Sequence, residues 1–132
     1  MKKGIIAVLA SIILLAVPVQ AKEYTEAELL ERVVEAEAGN QGLLGKRLVV
    51  SVIYNRVESD KFPNTIYEVL TAPHQFGPVW NGAAEKVTVS DETRAAIMLE
   101  LTERSDPEIL YFNSGPVSGK YAYTYKGHKF GK

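Results

Sequence analysis

The chain is 132 residues long, holds no cysteine, and sets 15 basic against 16 acidic side chains. That length suits one small domain, the missing thiols exclude disulfides and thiol catalysis, and the near balance of charge gives no basic field for nucleic acid or anionic lipid.

Met1 to Ala21 has the pattern of a secretory signal peptide: Lys2 and Lys3, an apolar run from Gly4 to Val17 broken only by Ser11, then Pro18 and the small-x-small site Val19-Gln20-Ala21. The run is short for a bilayer span, so cleavage is expected rather than retention as an anchor, with no stable membrane insertion afterwards. The exported domain would then be 22–132. Its 111 residues carry 13 basic and 16 acidic side chains, a net charge of −3, and suffice for a core that folds alone.

Glu26 to Ala38 reads as an amphipathic helix. Thr25 and Glu28 form a T-x-x-E capping box, Leu30, Val33 and Val34 make one apolar stripe, and Gly39 ends it. The next step of the stripe is Glu37, between the small residues Ala36 and Ala38. Glu28, Glu31 and Glu35 share another face and are expected in solvent. A carboxylate on an apolar face is costly unless paired or protonated, and desolvation raises its pKa toward neutrality. Two readings follow for Glu37: a general acid working near pH 7, or a structural Glu bonded to an arginine or to backbone N–H groups.

Asn40-Gln41-Gly42 is a polar connection. Leu43 to Val57 is apolar nearly all round a helical wheel, which predicts a buried central helix. Its β-branched residues make a strand the competing reading, and length without an internal breaker favours the helix. Of Asn55 and Arg56, one could fix a loop or partner Glu37, against an ordinary helix C-terminus where arginine suits the dipole; Arg56 is expected as the latter, and Asn55 is open. Glu58 to Asn64 is a loop with Phe62-Pro63, and Thr65 caps a short helix, Ile66 to Leu70. Thr71 to Gly82 follows, with two prolines and two glycines that argue against regular structure. It holds Gln75, Phe76, Trp80 and Asn81, aromatic and amide groups of the kind that stack on sugars and hydrogen-bond to them. Trp80 suits sugar stacking and core filling equally; Phe76 leans to the core.

Ser90 caps a helix from Asp91 to Glu103, to which Ala95, Ile97, Met98 and Leu101 give an apolar side. Asp106-Pro107 turns the chain into a strand, Ile109 to Phe112, with Asn113 opening the next loop. Tyr121 to Tyr125 alternates as a half-buried strand, and Lys126-Gly127 turns it into His128-Lys129-Phe130. The fold class expected is a single small α+β domain, helices around a buried central helix with a short C-terminal antiparallel sheet.

Zinc is poorly served, since His74 and His128 stand far apart without H-x-x-H or H-E-x-x-H spacing. Neither G-x-S-x-G nor a phosphate loop is present. Glycosidases usually set two carboxylates about the scissile bond, yet Glu58, Asp60, Glu68 and Glu85 all read as solvated. No metal or cofactor is expected, and a catalytic Glu37 would work largely alone.

Four stretches carry a resemblance: Val33-Val34-Glu35-Ala36-Glu37-Ala38; Val52 to Val57 followed by Phe62-Pro63-Asn64-Thr65-Ile66; Gln75-Phe76-Gly77-Pro78-Val79 with Gly82; and Tyr111-Phe112-Asn113 with Gly127-His128-Lys129-Phe130. In this order they resemble the catalytic domain of the SleB/CwlJ cell-wall hydrolases, the spore cortex-lytic enzymes and their relatives. The resemblance implies a lytic-transglycosylase-like fold, peptidoglycan as partner, and cleavage of the β-1,4 bond between muramic acid and glucosamine, with Glu37 as acid and then base. It implies a monomer outside the cytoplasm, associated with the wall, acting in wall remodelling or spore cortex lysis. Gln75, Phe76, Trp80, Asn81, Asn113 and His128 are the residues expected to touch or support substrate. Spore enzymes often continue Ala-Glu-Ala with Arg-Gly-Glu, whereas this chain has Gly39-Asn40-Gln41, so the rim beside Glu37 differs. The rival classes are a metal-dependent amidase on the stem peptide and a non-catalytic wall-binding module.

Overall fold

A computed structural model describes residues 23–132; the signal segment inferred for Met1 to Ala21 lies outside the described residues. In order come α1 (Glu26–Ala38), α2 (Gly42–Glu58), α3 (Ile66–Thr71), α4 (Gly77–Trp80), α5 (Ala83–Lys86), α6 (Asp91–Thr102), β1 (Tyr111–Asn113), β2 (Tyr121–Tyr125) and β3 (His128–Gly131). This is the expected α+β arrangement. The C-terminal strand is central, in the antiparallel order β1-β3-β2. No helix among the described residues is long and apolar enough to cross a membrane.

Local chemistry starts the helices where the sequence places them. Thr25 and Glu28 complete the capping box of α1, and Thr65 and Ser90 accept the N3 amides of α3 and α6. Gly42 stands at φ 74°, a left-handed conformation that costs glycine little and lets α2 leave α1 at once. The proline-rich stretch holds more structure than expected: one-turn helices α4 and α5, separated by Gly82 at φ 82°. Pro78 sits in the first turn of α4, where its missing N–H leaves no bond unmade.

α2 is buried between two apolar layers. Val49, Val50, Ile53 and Tyr54 join Leu30, Val33 and Val34 of α1 and Val69, Leu70, Phe76 and Val79 beyond. Leu48 and Val52 face the sheet with Ile109 and Phe130. Each such aliphatic side chain contributes roughly 1.5–3 kcal/mol on burial. On the sheet, Phe130 lies 5.5 Å from Tyr123 and 6.1 Å from Phe112, ring centre to ring centre.

A helix covered this way must satisfy its polar side chains internally. Lys46 Nζ reaches Glu92 and Ser90 Oγ, both at 3.1 Å. Asn55 donates to the carbonyls of Asp106 and Ile109 at 2.8 Å and accepts from Arg104, so it fixes the loop into β1. Arg56 is not the solvated C-terminal arginine expected. It is 5% exposed, donates to Leu110 O at 2.7 Å and Gln75 Oε1 at 3.2 Å, and lies over Phe62, Phe76 and Tyr111.

The inward face of α6 also differs from the one its composition suggests. Thr93, Ala96 and Glu100 are buried, whereas Met98 and Leu101 are 64% and 65% exposed. Polar groups on α2 decide this. Arg47 Nε donates to Glu100 at 2.8 Å, Ser51 Oγ donates to it from the same helix, and Ser105 donates through N and Oγ. Burial alone raises the Glu100 carboxyl; the bonds from Ser105, Ser51 and Arg47 outweigh it and hold the pKa below the usual value. Glu100→Ala is expected to cost about 3 kcal/mol, because it leaves a half-buried guanidinium and two hydroxyls without their acceptor. Met98→Ser is expected to stay within about 0.5 kcal/mol. Urea unfolding of the two variants beside the parent measures both.

Candidate functional site

Glu37 closes the buried stripe of α1 and is itself only partly accessible. Among the described residues no hydrogen bond or ion pair holds its carboxyl group; desolvation acts unopposed and lifts its pKa from 4.5 to about 7. The structural Glu of the alternative reading would need a partner, and none is found among the described residues.

Glu35, one turn-face away, gives the contrast. It was expected in solvent, yet Oε1 accepts from Ser90 N and Oγ at 2.8 Å and from Thr93 Oγ1 at 2.7 Å. Burial raises its pKa, but the Ser90 and Thr93 bonds and Lys46 nearby bring it below the ordinary value. Glu35 thus pins α1 to the start of α6 and fixes the rotation of α1 about its axis. That rotation is what presents Glu37.

A cavity of about 390 Å³ joins the Phe62 loop, the His74–Gln75 turn and β1. It brings together Gln75 and Asn113, far apart in sequence, and adds Arg56, Lys61, His74 and Tyr111. Gln75 is oriented by Arg56, and Asn113 Oδ1 accepts from Gly115 N at 3.2 Å, which braces the loop after β1. His74 carries φ 62°, a region that non-glycine residues enter uncommonly, histidine more often than most.

The other expected contacts divide. Phe76 is 1% exposed and belongs to the core, not to the accessible surface. His128 is also buried, edge-on to Phe112 at 5.1 Å, with Nδ1 lacking a hydrogen-bond partner among the described residues. Burial lowers its pKa, which favours the neutral ring. Trp80 is 41% exposed and free to stack on a ligand. Asn81 is exposed, and its Oδ1 accepts from Ala83 N at 2.9 Å to start α5. Neither residue lines the Arg56 cavity.

Two residues of the region escaped the sequence reading. Arg56 leaned toward an ordinary helix end, with loop fixing as the alternative. Gln41 sat in what reads as a polar connection, yet it is buried with Oε1 unsatisfied, and its amide fills the space that Gly127 leaves beside His128.

A family model described as Cell Wall Hydrolase matches residues 40–132. The chain belongs to that family. The matched residues begin just past Glu37. A spore cortex-lytic enzyme of Bacillus cereus is 30% identical over 102 residues, 75% of this chain and 39% of the relative. The chain therefore spans about two fifths of the length of the curated relatives it matches. Two solved structures share the fold: the catalytic domain of the germination-specific lytic transglycosylase SleB from Bacillus anthracis, and that of the Bacillus cereus SleB protein. Both give a TM-score of 0.71 at 23% identity, covering 84% and 89% of this chain and 98% and 99% of theirs.

The Glu37 environment has a thermodynamic consequence. Its carboxyl titrates near 7 when folded and near 4.5 when free. Between those values the folded state binds the extra proton, so stability falls as pH rises through that window. Above it the fold carries an unpaired, desolvated charge worth at most about 3 kcal/mol. Glu37→Gln is expected to stabilise the protein by roughly 2–3 kcal/mol at pH 8 and hardly at all at pH 4. Denaturant unfolding at both values checks it.

Proposed function

We propose that this protein cleaves peptidoglycan glycan strands between muramic acid and glucosamine, outside the cytoplasm and as a monomer, with Glu37 as the single acid and base. The observation that carries the reading is the unpartnered, desolvated Glu37 carboxyl with its pKa near 7. Such a group is still substantially protonated at neutral pH and has a moderate driving force for giving the proton up.

The acids that the fold ties down are consistent with a one-carboxylate mechanism. Glu35 and Glu100 are tied by hydrogen bonds, and Glu92, Glu58 and Glu108 pair with Lys46, Arg104 and Lys132. None of these stands free to attack a sugar carbon. The nucleophile then comes from the substrate. Glu37 donates its proton to the glycosidic oxygen as the bond to muramic C1 breaks, and glucosamine leaves with a free 4-hydroxyl. The muramic 6-hydroxyl bonds to C1 and returns its proton to Glu37, giving a 1,6-anhydro end without consuming water. On this reading Trp80, Gln75 and Asn113 hold the strand, with His128 and Phe76 buried in the domain behind them. The cell-wall hydrolase family and the spore cortex-lytic relative favour the same substrate class.

Mass spectrometry of soluble products from purified peptidoglycan tests the proposal, with vegetative wall and spore cortex as separate substrates. Anhydro-muramic ends are expected, reduced at least 100-fold in Glu37→Gln, the scale set by loss of a general acid. The rate is expected to fall as pH rises above about 7, where Glu37 loses the proton it must donate. Reducing muramic ends would overturn the intramolecular attack, and free stem peptides would replace the reading with an amidase.

A further inference from the structure

Arg56 is a buried cation with no carboxylate within ion-pair reach among the described residues. Its polar partners are neutral: the Leu110 carbonyl through Nε and the Gln75 amide oxygen through Nη1. Three rings surround it, with Phe62 at 4.8 Å, Phe76 at 5.4 Å and Tyr111 at 5.7 Å from the guanidinium carbon. Cation–π contact offsets part of the desolvation, but a buried charge normally acquires a counter-ion. Burial pulls its pKa down to about 10, so it keeps its charge at neutral pH.

The cavity in front of Arg56 has the same bias. Arg56, Lys61 and His74 line it, and no Asp or Glu does. The two neighbouring clefts differ: one contains Glu58 and Glu108 beside Arg104, the other Glu58, Asp60 and Glu68. In a chain with more acids than bases, an acid-free hollow floored by an unpaired guanidinium is an anion site. Its neutral donors, Gln75, Tyr111 and Asn113, suit a ligand that also carries amides or hydroxyls.

We propose that the cavity between Lys61, His74 and Asn113 is a subsite for a carboxylate borne by the glycan strand, received by the guanidinium of Arg56. This deepens the glycan-strand reading and rests on it for the identity of the ligand. Two carboxylates of that substrate have the right chemistry, the lactyl group of an unsubstituted muramic acid and the carboxylates of its attached peptide. Arg56 supplies planar donors matched to a carboxylate, and Lys61 adds a second charge at the solvent edge.

The test is calorimetric binding to the full chain carrying Glu37→Gln, so that nothing depends on turnover. The probes are disaccharide muropeptides, the same muropeptides with carboxylates methyl-esterified, and the disaccharide without peptide bearing a free or an esterified lactyl group. Binding of an acid probe is expected to weaken about tenfold on esterification, and about tenfold in Lys61→Glu, an exposed position where folding is not at stake. Arg56→Lys is expected to lose affinity for the acid probe while the ester binds as before, a split that mere loss of structure would not give. Esterification that matters only in the peptide-bearing probe names the peptide as source; an effect in the bare disaccharide names the lactyl group. Equal affinity for acid and ester, no binding of either, or an unaltered Kd in Lys61→Glu would overturn the subsite. Acid binding together with an absence of anhydro ends from the parent enzyme would leave the subsite standing and overturn the cleavage mechanism instead.

Discussion

Burial of α2 on every side is the constraint from which the rest of this domain follows. A helix packed between helices on one face and a sheet on the other has no solvent for its polar side chains. Its buried Lys46, Ser51, Asn55 and Arg56 each find a partner on a neighbouring element. Lys46 takes the start of α6, Ser51 helps hold Glu100 near its end, and Asn55 takes the loop into β1. Arg56 takes both the strand entry at Leu110 and the loop at Gln75. Irregular segments that could wander are therefore anchored to the most rigid part of the molecule. The Arg56 cavity is formed by those anchored segments, which is how loops can present a fixed geometry.

The two carboxylates at the end of α1 show how the same scaffold sets opposite chemistry two residues apart. Glu35 accepts three hydrogen bonds, and its carboxyl is held acidic. Glu37 receives none, and its carboxyl is pushed up to about 7. Helix geometry turns successive odd positions to different faces, so fixing one against α6 determines where the other points. Such divergence between nearby acids is the usual route to an acid available at neutral pH. Here the bonded acid orients the helix, and on the proposed reading the unbonded one is left for chemistry.

Much of this was legible in the sequence, and the failures have physical causes. Caps are local, so Thr25, Thr65 and Ser90 marked their helices correctly, and the apolar stripe placed Glu37 without any tertiary knowledge. Partners distant in sequence were not legible. The role of Glu100 carried no local signal, because it depends on Arg47 and Ser51 some fifty positions away. The same partners turned α6, leaving Met98 and Leu101 outside against the direction their hydropathy suggests. Glu35 escaped for the same reason. Short helices α4 and α5 were hidden because one turn is too brief for a periodic signal, and proline there marks a first turn as readily as a loop. Gln75 and Asn113 were visible as candidates, but only the fold shows that they share a cavity.

One further asymmetry bears on how the site came to be built. The domain desolvates an acid, Glu37, and buries a base, Arg56, and neither has an oppositely charged partner among the described residues. Selection for stability alone would pair such groups or replace them with apolar ones, since both alternatives relieve a desolvation penalty of several kcal/mol. The other buried charges do follow that rule: Lys46 has Glu92, and Glu100 has Arg47. The exceptions are thus confined to the end of α1 and to the floor of the Arg56 cavity. On the proposed reading, what each lacks is complementary to a muramic acid strand: an ether oxygen to take a proton from Glu37, and a carboxylate to meet Arg56. Instability tolerated at two points, and nowhere else among the buried charges described, is the pattern expected when the missing partner is the substrate.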